Sequence, residues 1–65
     1  MPPKTKELKT RLRDAGFVEQ TGKGSHTNWT HPKAKLLVTI AGRDGADARQ
    51  YQIKQVSQAI EEVKP

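Results

Sequence analysis

The sequence predicts an α+β domain of order α-β-β-β-α, and three observations carry that prediction. An apolar stripe with helical period runs from Leu8, three extended runs joined as two hairpins follow, and a longer helical stripe ends at Val63. Glycine- and proline-containing turns separate these runs. The arrangement expected is one three-stranded antiparallel sheet with both helices on one face. With 65 residues the chain is read as a single domain, residues 1–65. That length is near the lower limit for a chain that folds without staples.

The first helix is expected from Thr5 to Ala15, with Leu8, Leu12 and Ala15 at i, i+4 and i+7. Thr5 is a candidate N-cap, Glu7 suits the positive end of the helix dipole, and Gly16 can take the left-handed conformation that stops a helix. The other face shows Lys9, Arg11 and Arg13 to water.

Phe17 to Thr21 reads as a first strand, and Gly22-Lys23-Gly24 as a turn with two residues free to adopt positive φ. Ser25 to His31 is the second strand, Pro32 to Lys35 a turn, and Leu36 to Ile40 the third and most apolar strand. Alternation along the second strand puts His26, Asn28 and Thr30 on one face and Ser25, Thr27, Trp29 and His31 on the other. The face of the only tryptophan is the core candidate, so His26 is expected to point at solvent and His31 to serve the turn or the packing. Ala41 to Ala46 is a glycine-containing connection. Asp47 with Gln50 resembles a capping box, and Ile53, Val56, Ile60 and Val63 form the second stripe.

Lys and Arg number 12 against 7 Asp and Glu, a net charge of +5. On so small a body that favours a polyanionic partner, nucleic acid or an acidic protein surface. Lys4, Lys6, Lys9, Arg11, Arg13 and Lys23 crowd the first third, which predicts a one-sided positive field. The absence of cysteine excludes disulfides and thiolate metal sites. No apolar run approaches the ~20 residues that span a bilayer, and Met1-Pro2-Pro3-Lys4 has no apolar segment behind it. The expectation is a cytoplasmic chain with no membrane partner. Asp44 and Asp47 with His26 lack ligand spacing, so neither a metal nor any other cofactor is expected.

Candidate chemistry gathers at Gly24-Ser25-His26. A turn of this kind offers backbone N–H groups as a small anion nest beside Lys23, and a histidine titrates near neutral pH. A nucleotide-binding phosphate loop is excluded, because Phe17 stands where that pattern needs a glycine.

The run Glu7-Leu8, Leu12, Ala15-Gly16-Phe17, then Lys23-Gly24-Ser25-His26, Trp29 and His31-Pro32, resembles the HicA (YcfA-like) toxin family from Lys6 to about Ile40. That resemblance implies a double-stranded-RNA-binding-domain-like fold, ribonuclease activity on mRNA and neutralisation by a HicB-like antitoxin. It also makes His26 the catalytic residue. Ala41-Gly42-Arg43-Asp44-Gly45 replaces a His- or Pro-containing segment found in many members, and the second helix is longer than usual.

RNA carries its own nucleophile, so cleavage needs alignment, proton transfer and charge compensation, without a metal. On this reading Lys23, with the Gly22 and Gly24 backbone, holds phosphate oxygens, Ser25 orients the site, and Lys9 and Arg13 contact RNA phosphates. Two other classes compete: a non-catalytic RNA-binding module of the same shape, and a protein-interaction domain for an acidic partner. A duplex binder usually carries a lysine cluster at the start of its last helix. Here that stretch, Asp47 to Lys54, is poor in basic residues.

Overall fold

The computed structural model describes residues 2–64. Met1 and Pro65, part of the chain ends read above, lie outside the described residues. The order is α1 (Thr5–Asp14), β1 (Val18–Thr21), β2 (Thr27–Thr30), β3 (Val38–Ile40) and α2 (Gln50–Val63). The sheet is antiparallel in the order β1-β2-β3, which makes β2 central. The predicted α-β-β-β-α architecture is therefore the observed one.

The helical stripes are core. Leu8, Leu12, Val56 and Val63 are buried together with Phe17, Trp29, Val38, Ile40 and Ala48, and Ala15, Ile53 and Ile60 pack at the margin. Trp29 pairs with Val38 across the β2–β3 ladder and Thr27 with Ile40, so these residues share the face under the helices. Alternation leaves Gln20, Asn28, Thr30 and Thr39 on the opposite face, where the Thr39 hydroxyl donates to Asn28 Oδ1 at 2.8 Å. Gly16, at φ +96°, turns the chain from α1 into β1 as its position predicts.

Several boundaries differ from the sequence reading. Thr5 is the first residue of α1 and Lys4 its N-cap. The Thr5 side chain is buried and donates to the carbonyl of Ala46, and the Thr5 and Lys6 N–H groups donate to Ala46 and Asp44. A distant loop thus satisfies the helix end that a local cap was expected to serve. The first strand begins at Val18 rather than Phe17, because Phe17 drops into the core.

The second strand covers only Thr27–Thr30, leaving Ser25, His26 and His31 in the flanking turns. The third begins at Val38, not Leu36: the Lys35 N–H donates to Glu62 on α2, which draws residues 35–37 away from β2. Leu36 and Leu37 are consequently exposed. Asp47 does not cap α2. It bridges to Lys4, and the Gln52 side-chain oxygen accepts the Arg49 N–H at the true helix start.

Candidate active site

Thr21 and Thr27 are the last cross-strand pair of the β1–β2 hairpin, so residues 22–26 form its loop. The His26 N–H donates to the Lys23 carbonyl at 3.0 Å, closing a turn over Gly24 and Ser25. Gly24 has φ +60°, a conformation disfavoured for any residue with a Cβ. Gly22 does not adopt positive φ, contrary to the sequence reading; its role is space. A Cβ built on Gly22 would lie 2.4 Å from the carbonyl oxygen of His26. Only a residue without a side chain lets the loop fold back this closely.

The loop therefore brings together Gly22, Lys23, Gly24, Ser25 and His26, five of the residues singled out in the sequence. Lys23, Gly24, Ser25 and His26 are exposed. Among the described residues the His26 imidazole makes no hydrogen bond, and the Lys23, Gly24 and Ser25 N–H groups donate to no backbone carbonyl. The imidazole and the turn amides all remain open to an incoming anion. Such a turn can cradle phosphate oxygens.

Lys9 and Arg13 sit elsewhere. Lys9, mostly buried along its side chain, meets Asp44 at 2.7 Å. The Lys9 ammonium, by hydrogen bond and by charge, holds the Asp44 carboxyl below its ordinary value, with further help from Lys6 and Arg13. Arg13 lies 5.4 Å from the Trp29 ring centroid and 3.6 Å from Glu19. No hydrogen bond or ion pair joins either cation to residues 22–26. The positive charge is not one-sided either, since Lys33 and Lys35 are exposed beyond the opposite end of β2.

His31 is structural, as alternation implied. Its ring packs against Phe17 with centroids 5.1 Å apart, and its Nδ1 accepts the Lys33 N–H at 3.0 Å. A Cβ on Gly16 would approach His31 Nε2 to 3.2 Å. Among the described residues no three His, Asp or Glu side chains gather as metal ligands would. Among the described residues no helix is long and apolar enough to cross a membrane.

A family model described as the HicA toxin of bacterial toxin–antitoxin systems matches residues 5–62. The chain belongs to that family. A HicA toxin implies an antitoxin partner, and the match extends through α2, beyond the segment whose motifs resembled the family. No curated protein sequence matches the chain.

Proposed function

We propose that this HicA-family chain is an mRNA-cleaving endoribonuclease that acts in the cytoplasm and is neutralised by a HicB-like antitoxin. The observation that carries the reading is His26: an exposed, unpartnered imidazole beside open turn amides and Lys23. In the reaction the 2′-oxygen of one nucleotide attacks the adjacent phosphorus in line, and the bond to the 5′-oxygen of the next nucleotide breaks. The products are a 2′,3′-cyclic phosphate and a free 5′-hydroxyl. One proton leaves the 2′-hydroxyl and one reaches the departing oxygen; His26 carries out one of these transfers and water the other. Lys23 and the amides of the 22–25 turn oppose the charge that builds on the non-bridging oxygens. Ser25 holds the phosphate against His26.

Lys9 and Arg13 extend the basic surface along the RNA by exchanging Asp44 and Glu19 for phosphate. For Arg13 the exchange is easy, since an exposed pair at 3.6 Å contributes little.

The decisive experiment compares the purified wild-type protein with His26→Ala on RNA in the presence of EDTA, alongside growth and mRNA integrity after induction. General acid–base catalysis contributes roughly 100- to 10,000-fold, so His26→Ala should lose cleavage and toxicity while melting normally. Cleavage by His26→Ala at the wild-type rate would sink the assignment. Tight duplex binding with intact RNA in both forms would instead favour the non-catalytic RNA-binding module.

A further inference from the structure

The last pair of the β2–β3 ladder is Thr27 with Ile40. His26 precedes Thr27 in the chain and Ala41 follows Ile40, so both leave the sheet at this end. Ala41 lines a cavity of about 320 Å³, whose wall also includes Gly42, Asp47, Arg49, Tyr51 and Gln52. The cavity therefore lies beyond the end of β3 that pairs with Thr27, where the 41–49 connection meets the starts of both helices. Its volume falls at the small end of the range for ligand sites, roughly 300–1,000 Å³.

The lining has a definite chemistry. Gln52 donates to the Ala41 carbonyl and accepts from the Arg49 N–H, so it is spent on holding the wall. The Asp47 carboxylate is engaged by Lys4. Among the described residues Arg49 has no carboxylate partner, and Tyr51, the only tyrosine, is 59% exposed on the rim. What remains for a ligand is one flat aromatic surface and one free guanidinium.

We infer that this cavity is a nucleotide subsite at the hairpin end of the sheet: it takes one unstacked base of single-stranded RNA against Tyr51, with Arg49 on a neighbouring phosphate. Stacking with few free polar groups makes the site tolerant of base identity. It also requires a base out of its helix, so the substrate class is single-stranded RNA. The inference rests on the ribonuclease reading above for its link to cleavage.

Binding is measured on the His26→Ala protein with a short fluorescein-labelled single-stranded RNA, so that cleavage is not needed. Tyr51→Ala should weaken binding about five- to a hundredfold, in keeping with the loss of one stacked base. Tyr51→Phe should keep it, and Arg49→Gln in the same background should show a smaller loss with reduced salt dependence. In the His26-containing enzyme, Tyr51→Ala should raise KM and leave kcat nearly unchanged; thermal melts confirm the fold, as Tyr51 is a surface residue. Tyr51→Ala binding as tightly as its parent would overturn the subsite while leaving the nuclease assignment intact. Displacement by an RNA duplex as effective as by the single strand would also overturn it. Tyr51-dependent binding without cleavage by the wild-type chain would support the subsite and remove the nuclease.

Discussion

A methyl group on Gly22 would stand 2.4 Å from the His26 carbonyl oxygen and 3.0 Å from its carbonyl carbon. Both are backbone atoms, so neither can swing aside as a side-chain tip would. Gly24 is a different case: a Cβ there meets nothing within 4 Å, and a substitution would be opposed only by its φ of +60°. That torsional penalty is about 1–2 kcal/mol. Gly22→Ala must therefore shift the loop that carries His26, and a misplacement of about 1 Å near the chemistry can lower the rate roughly 100-fold. The expected result is a kcat reduced about 10- to 100-fold, together with a lowered melting temperature. Wild-type kcat in Gly22→Ala would show that the loop accommodates a side chain without moving the imidazole.

At the level of elements, the helices were readable, including the start of α1 at Thr5, and the groups that cap them were not. Leu8 and Leu12, then Val56 and Val63, recur at helical spacing and are buried as that spacing requires. Thr5, a sound cap by residue type, is instead inside α1, because its end is met by carbonyls of Asp44 and Ala46 some forty positions later. Asp47 and Gln50 had capping-box spacing, yet Asp47 is drawn to Lys4. Partners so distant leave no local signature.

The Asp44 side chain adds an ion pair to this same junction, and its carboxyl titrates below its usual value because of Lys9. A depressed carboxyl contributes stability above its unfolded pKa, near 4, and loses it as pH falls through the folded value. Asp44→Asn should thus melt slightly below the wild type at neutral pH. The difference should vanish once the solution is acid enough to protonate Asp44 in the folded chain. Thermal melts across that range test it; a gap that persists in acid would mean that the side-chain charge is not its source.

Across the whole molecule the topology decides which charges can act together. The His26 loop, Arg43 and Arg49 lie around the end of the sheet marked by the Thr27–Ile40 pair, whereas Lys33 follows β2 at its other end. Alternation along β2 points to the solvent-facing side of His26, but the cavity with Tyr51 forms where the 41–49 connection meets the starts of both helices, which no spacing reveals. The net charge of +5 likewise says that a polyanion is attracted without saying where it lies. Salt dependence can locate it. Each phosphate neutralised on a single strand adds about 0.7 to the slope of log K against log salt. Lys23→Gln, measured in the His26→Ala background, should flatten that slope by about 0.7 for single-stranded RNA. Lys33→Gln should leave it unchanged, because Lys33 is separated from His26 by the length of β2. Equal flattening by both substitutions would mean that RNA is held by a diffuse field, and the hairpin end would lose its claim to orient the strand.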